Sequence, residues 1–386
     1  MKNREGIKYL QEFLNIWNFS EEYLIYGTSN AANSLLKKLG DKLKIVGFLD
    51  SDNTKWGNQF AGYPVLSRSE WRERFGGHKI IVASGAYTEI REFLEKEGLR
   101  EQLDFCDSRF LTGSYFAVQQ NKVYLYRTDI SITQYCNLQC EKCNMLSPYF
   151  KHPKHKELDQ LKAEVDNYFQ WVDNVQLFNI LGGEPFVHPQ VEEFTRYVCE
   201  QYGGKTERIV FFTNGLVKLQ ETMLALIKEY DIEIQVSDYR KGIPEVSERV
   251  DQFIQKLEQQ GISYRRNIDN EWIDFGFPSY RNENMDEEQM SVFFDRCYSP
   301  FRGLSDGKLY YCHLNTSAVN AGLFEDNTND YFDLKNFDSS RKQELVLFDL
   351  GYTELGYVTY CRRCKGCFAV NSDFIEVAKQ LRRQDV

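Results

Sequence analysis

At 386 residues the chain is too long for one ordinary core, so two or three domains are expected. Its 42% hydrophobic content, with 28 Phe and 24 Tyr, excludes a disordered chain. A formal net charge of −10 excludes general affinity for nucleic acid or an anionic membrane, because phosphate binding needs clustered Lys and Arg; one small basic pocket for a phosphorylated ligand stays open. The stretch from Met1 to Lys8 lacks the apolar run of a signal peptide, and no segment approaches the roughly 18 uninterrupted apolar residues of a membrane span, so a cytoplasmic location is expected. In that reducing compartment the ten cysteines point to metal binding or catalysis rather than disulfides, and only Cys106 and Cys199 stand apart from three tight groups.

Residues 1–115 are expected to form the first domain. An apolar strand at Tyr23–Tyr26 runs into Gly27-Thr-Ser-Asn-Ala-Ala and a helix through Leu35 and Leu36. A second strand, Lys44–Leu49, ends in Asp50, and a third, Lys79–Ala83, leads to the helical pattern Ile90, Phe93, Leu94. This is the order of a dinucleotide-type βαβ unit, with Asp50 where an acid can bind ribose hydroxyls. Gly27-x-Ser29-x-x-Ala32 is a degraded dinucleotide fingerprint, so a Rossmann-like unit that binds nothing is the competing reading.

Residues 116–295 repeat a strand-helix rhythm. Strands are expected at Asp129–Thr133, Val175–Leu181, Arg208–Thr213 and Ile232–Ser237, with a fifth beginning at Ile262–Tyr264. Helical faces lie between them: Leu161, Val165 and Phe169; Phe194, Val198 and Tyr202; Met223, Leu226 and Tyr230; Val250, Phe253 and Leu257. Successive right-handed βα units build a parallel sheet that curls into a full or partial barrel, with chemistry at the strand ends. Those ends carry the Cys136–Cys143 loop, Gly182-Gly183-Glu184-Pro185, Thr213-Asn214-Gly215 and Ser237-Asp238. Loop 151–156 is locally basic and would either meet a substrate phosphate or stand solvated. From 296 to 386 the rhythm gives way to short Gly- and Tyr-rich segments, expected as a small cluster-holding domain.

Cys136-Asn-Leu-Gln-Cys140-Glu-Lys-Cys143 offers three thiolates in a loop that can wrap three corners of an iron–sulfur cubane. The fourth iron is then open to another ligand. A zinc site would need a fourth protein ligand, His152 or His155, and would leave the Gly-Gly-Glu-Pro loop unexplained. Cys297 and Cys312 suit a hairpin that brings two thiolates together, and Cys361-Arg-Arg-Cys364-Lys-Gly-Cys367 supplies the rest of a second, four-cysteine site. The assignment is Cys297, Cys312, Cys361 and Cys364 with Cys367 spare; exchange of Cys364 for Cys367, and zinc in place of iron, stay open.

The cysteine spacing after one strand, with Gly-Gly-Glu-Pro after the next, resembles the radical S-adenosylmethionine (SAM) superfamily over roughly 127–300. The resemblance implies a partial (β/α)6 TIM-like barrel and a [4Fe–4S] cluster on Cys136, Cys140 and Cys143. Its open iron would be chelated by the methionine moiety of SAM, which one electron cleaves to a 5′-deoxyadenosyl radical. It implies that Gly182, Gly183 and Glu184 receive the methionine ammonium, that Pro185 shapes the turn, and that Asn214 and Ser237 meet the ribose. Lys142 departs from the aromatic residue usual there and leaves the adenine contact open. The second cysteine group is similar to single-auxiliary-cluster (twitch/SPASM-like) domains, implying a second [4Fe–4S] cluster. The motifs around Gly27 and Asp50 resemble the Rossmann-like domains of bacterial nucleotide-sugar acyltransferases, which hold the nucleotide part of a sugar donor.

Together these imply an oxidoreductase or epimerase acting on a small, sugar- or nucleotide-linked substrate with an external one-electron reductant of flavodoxin or ferredoxin type. In the epimerase version Cys367 would return a hydrogen atom. Two other readings stand beside it: a radical SAM peptide maturase, and a non-enzymatic iron–sulfur sensor or scaffold.

Overall fold

The computed structural model describes residues 10–297, 299 and 301–381. Packing divides the chain into two units, Met1–Tyr124 and Leu125–Val386. The expected boundary at 115 falls inside the helix Ser108–Gln120, which Asp107 caps by accepting from the Arg109 amide, so the first unit ends later than the composition suggested.

In the first unit the strands Gln59–Phe60, Tyr63–Leu66, Lys44–Leu49, Glu22–Tyr26, Lys79–Val82 and Phe105–Asp107 lie in that order. All neighbours are parallel except the outer pair Gln59–Phe60 and Tyr63–Leu66. The β-branched and aromatic run Tyr23–Tyr26 is buried along its length, as a central strand covered on both faces must be. Strand order reverses at Glu22–Tyr26, so the turn at Gly27 opens at a topological switch point. The next helix, Asn30–Leu39, starts on Ser29, whose hydroxyl accepts from the Ala31 amide. Tyr63–Leu66 and Phe105–Asp107 escaped the sequence reading because they are short, and Pro64 breaks the pattern of the first.

The second unit is built on an eight-stranded sheet ordered Tyr264–Asn267, Glu233–Ser237, Thr206–Thr213, Asn174–Leu181, Tyr124–Ser131, Arg302–Ser305, Lys308–Tyr310 and Tyr331–Asp333. Val175, Phe178, Ile180, Val210, Phe211, Ile234 and Val236 are fully buried strand residues at its centre. Helices Leu158–Trp171, Val191–Tyr202, Glu221–Glu229 and Ser247–Gln260 alternate with the strands in the expected places. The region from 296 on falls in the same unit as the preceding strands. Its strand Arg302–Ser305 pairs parallel with Thr128–Ile130 and turns into an antiparallel hairpin, so it extends the sheet beyond the first strand. Local rhythm marks a change of pattern near 295 but does not show which edge the later strands join.

A late strand, Phe374–Glu376, pairs antiparallel with Glu271–Ile273. No helix among the described residues is long and apolar enough to cross a membrane.

Candidate metal centres

The loop Cys136–Cys143 leaves the C-terminal side of strand Tyr124–Ser131 and is organised by its own backbone. The Leu138 amide donates to the Cys136 sulfur at 3.4 Å, the Cys143 amide to the Cys140 carbonyl at 3.2 Å, and the Leu146 amide to the Cys143 carbonyl at 3.0 Å. Burial pushes the Cys136 and Cys140 thiols up to about 12 and raises Cys143 as well. Negative charge on Cys143, Glu184 and Cys140 raises Cys136 further, which places these groups around one another. In the ligand-free protein the thiols are therefore protonated at neutral pH, and any metal they take must displace protons.

The next strand delivers Gly182 to Pro185 onto this loop. The Gly183 amide donates to the Thr133 carbonyl at 2.9 Å and the Glu184 amide to the Tyr135 carbonyl at 2.8 Å. A Cβ on Gly183 would stand 2.2 Å from the Tyr135 oxygen, and one on Gly182 2.5 Å from the Thr133 oxygen, so both positions require glycine. Gly183→Ala is expected to lose about 1–3 kcal/mol of stability to overpacking against backbone. Chemical denaturation checks this, and a variant as stable as the wild type refutes the close approach.

Glu184 is 1% exposed. Its carboxylate accepts from the Thr213 hydroxyl at 2.8 Å, the Asn214 amide at 2.8 Å and the Phe186 amide at 3.3 Å. Burial still raises its pKa to about 7 against these three neutral donors. Pro185 opens the short turn Pro185–Val187. The Asn214 side chain turns to the cysteine loop, donating to Asn137 at 2.7 Å and touching the Cys136 sulfur at 3.8 Å. Ser237 meets Tyr239, a half-buried tyrosine beside Cys140 and Cys143 that the sequence did not single out. Lys142 donates to the Phe277 carbonyl at 2.8 Å and stands 3.9 Å from Asp274, whose other oxygen pairs with Lys365 at 2.8 Å. Asp274 thus links the neighbour of Cys143 to the neighbour of Cys364. His155, considered as a zinc ligand, has Nδ1 2.9 Å from the Thr133 hydroxyl. In the basic loop Lys151, His152 and Lys154 are exposed, whereas Lys156 pairs with the buried Glu164 at 2.8 Å.

The second cysteine group lines one cavity of about 550 Å3, open solvent at its mouth included. All five sulfur-bearing residues, Cys297, Cys312, Cys361, Cys364 and Cys367, face it. Cys367, spare in the sequence assignment, is the residue whose sulfur touches that of Cys297, at 3.6 Å. The buried Asn282 amide donates to the carbonyls of both Cys361 and Cys364 at 2.9 Å, fixing their turn. Asp330 holds the approach to Cys361 by accepting from the Tyr360 amide at 3.2 Å and the Asn315 side chain at 2.8 Å. Among the described residues no three His, Cys, Asp or Glu side chains gather as a single metal ion requires. Zinc would draw four sulfurs to about 2.3 Å from itself, whereas a walled space ringed by cysteines suits a larger cluster ligated at its corners. Thiolate donors fit an iron–sulfur cluster and a four-cysteine zinc site alike. Leu146, just past Cys143, packs in one apolar cluster with Phe277, Leu314, Tyr360 and Cys364, so the two cysteine regions share a core.

A second cavity, of about 490 Å3 with open solvent at its mouth included, has Asp129, Ser131, Thr133, Lys156, Gly183 and His313 on its walls. Asp129 is paired with Arg127 at 2.8 Å and held by Asn179 at 2.6 Å, so the charged groups on its walls are matched locally. His313 lines both cavities. Burial pushes its pKa down to about 4, leaving the imidazole neutral, and its Nδ1 has no hydrogen-bond partner among the described residues.

In the first unit the Asp50 carboxylate is turned onto its own loops. It accepts from the Thr28 amide at 3.1 Å and hydroxyl, from the Asp52 amide at 2.9 Å and from Lys55 at 2.9 Å. It clamps the turn after Gly27, with Oδ2 taking Thr28 and Lys55 and Oδ1 taking the Asp52 amide.

Residues 130–262 match the family described as Radical SAM superfamily, and residues 19–103 match one described as C2185-like, N-terminal. The radical SAM match thus spans the Cys136–Cys143 loop and the Gly182–Pro185 turn, within part of the chain. Over 108 residues the chain is 32% identical to the antilisterial bacteriocin subtilosin biosynthesis protein AlbA of Bacillus subtilis (strain 168), a match covering 27% of this chain and 22% of that protein. Among solved structures, anSMEcpe with bound AdoMet is similar at 12% identity and a TM-score of 0.41, over 63% of this chain and 89% of that one. BtrN in complex with AdoMet and 2-DOIA is similar at 14% identity and a TM-score of 0.40, over 64% and 94%. Streptococcus suis SuiB bound to S-adenosylmethionine is similar at 14% identity and a TM-score of 0.31, over 51% and 43%.

Proposed function

We propose that the chain is a radical SAM enzyme that dehydrogenates or epimerises a small polar substrate, sugar- or nucleotide-linked. The observation that carries this reading is the cavity of about 490 Å3 that meets Gly183 on one wall and His313, the neighbour of Cys312, on another. Cys136, Cys140 and Cys143 would hold an open-iron cluster that would supply one-electron reduction of SAM, and Cys297, Cys312, Cys361 and Cys364 or Cys367 would hold a second cluster that would supply an electron acceptor. Gly182 and Gly183 present backbone carbonyls to the methionine ammonium. Glu184 adds a buried carboxylate whose present donors are all neutral, the setting in which a cation is most welcome. Asn214 and Ser237 reach the ribose only by exchanging their present partners, Asn137 and Tyr239. Matched charges inside the cavity favour a neutral, hydroxyl-rich substrate over a strongly charged one. The Gly27 turn is the remaining place for a nucleotide, though Asp50 is already engaged there.

Peptide maturation is the second reading, favoured by the likeness to AlbA. Anaerobically reconstituted full-length protein given SAM and dithionite is expected to form 5′-deoxyadenosine above the protein-free rate. No such product sinks the radical reading in favour of a sensor or scaffold. Incubation with sugar nucleotides and, in parallel, with a precursor peptide encoded beside the gene then separates the substrate classes. A ketone without solvent hydrogen marks dehydrogenation, and solvent deuterium at an inverted carbon marks epimerisation.

A further inference from the structure

A segment late in the chain lies along the first cysteine loop. After strand Phe374–Glu376, the Glu141 amide donates to the Lys379 carbonyl at 2.8 Å and the Leu381 amide to the Gln139 carbonyl at 2.7 Å. These bonds frame an antiparallel bridge between Cys140 and Gln380. Val377 and Ala378 are buried in the same apolar cluster as Cys140, with Leu138, Cys143, Tyr239 and Trp272 around it. At the centre of this contact the Gln380 side chain makes three hydrogen bonds. Its oxygen accepts from the Gln139 amide at 2.8 Å, and its nitrogen donates to the Ala378 carbonyl at 2.7 Å and to the Cys140 sulfur at 3.2 Å.

That pattern admits one orientation of the amide. Flipped, its oxygen would face the Ala378 carbonyl and the Cys140 sulfur, both acceptors, while its nitrogen would face the Gln139 N–H. The side chain is therefore built to aim an N–H at one sulfur of the Cys136–Cys143 loop, across 240 positions of sequence.

We infer that Gln380 is a positioning residue for the first cluster, fixing Cys140 and setting the cluster's reduction potential through this N–H···S bond. The inference rests on the radical SAM reading of Cys136, Cys140 and Cys143. A donor to a ligating sulfur stabilises the reduced state, which carries more negative charge, more than the oxidised one, and hydrogen bonds to sulfur are among the features that set such potentials. Gln380→Leu removes the donor. Gln380→Glu keeps the shape but sets an anion against the sulfur and the Ala378 carbonyl, so its effect is the larger and has the same sign.

The test is a redox titration of the full chain, reconstituted anaerobically and followed by electron paramagnetic resonance, reading the signal that changes on adding SAM. The midpoint is expected to move negative in Gln380→Leu and further negative in Gln380→Glu, with iron content as in the wild type. Midpoints equal to the wild type at full iron content overturn the inference. Should the variants lose iron, the wild type labelled with 15N in glutamine side-chain amides decides by electron spin echo modulation: a weak 15N coupling supports the contact, and none overturns it. A wild type that takes up no SAM-responsive cluster instead overturns the underlying reading, which keeps the two failures distinct.

Discussion

Replacing Cys136, Cys140 and Cys143 together with alanine is expected to bring 5′-deoxyadenosine formation to background while the protein keeps about half its iron and sulfide, one of two four-iron clusters being lost. The loss should be complete because the three thiols are the whole protein-side ligand set of that loop, and no nearby side chain substitutes for them. His155 faces the Thr133 hydroxyl, and desolvation raises the half-buried Tyr239 phenol above its usual range. Retention of the other half follows from the second cavity. All five of its cysteines line it, and Asn282 and Asp330 hold the Tyr360–Cys364 turn by bonds that involve none of the first loop's thiols. Folding should survive, since the three side chains are small and the loop is pinned by backbone bonds that Glu141 and Gln139 make to Lys379 and Leu381. Zinc in the triple variant in place of iron would remove the electron-accepting role of the second site, and undiminished 5′-deoxyadenosine would remove the first site's role.

Glu184→Gln is expected to abolish a pH dependence of stability that the wild type shows in its ligand-free form. Burial raises the folded-state pKa of Glu184 from 4.5 to about 7. Because the folded value lies above the unfolded one, the folded chain keeps this proton over a pH range in which the unfolded chain has released it. Stability therefore falls as pH rises from about 4.5 to 7 and levels off above, by about 3 kcal/mol at 1.36 kcal/mol per pH unit. Glutamine cannot titrate, so the difference between variant and wild type in denaturation free energy should change by that order across the window. A constant offset of about 1–3 kcal/mol is expected besides, from the glutamine NH2 facing the Asn214 N–H. Parallel stability curves would show that Glu184 is not the buried, cation-poor carboxylate described above. A bound ammonium would pull this pKa down, so SAM added to the cluster-loaded wild type should flatten its slope.

What the sequence by itself determined was local. Cys136, Cys140 and Cys143 lie within one loop, and Gly182–Pro185 directly follows a strand whose apolar run is unmistakable, so spacing and periodicity sufficed to mark both. The alternation of strands and helices from Asp129 to Tyr264 was legible for the same reason, because each element's burial is written in its own period. The tertiary structure alone decided what depends on distant segments meeting. It set Arg302–Ser305 beside Tyr124–Ser131, and so joined the C-terminal region to the main sheet rather than leaving it apart. It turned Asp50 onto Thr28 and Lys55, when its place at a strand end had suggested a ligand. It gathered Cys367 with the other four cysteines, made His313 a wall of both cavities, and laid Gln380 on Cys140. Neither a side chain's partner nor a strand's edge has any signature in its neighbours along the chain. Both follow from which surfaces are buried together once the sheet has formed, and that is a property of the whole fold.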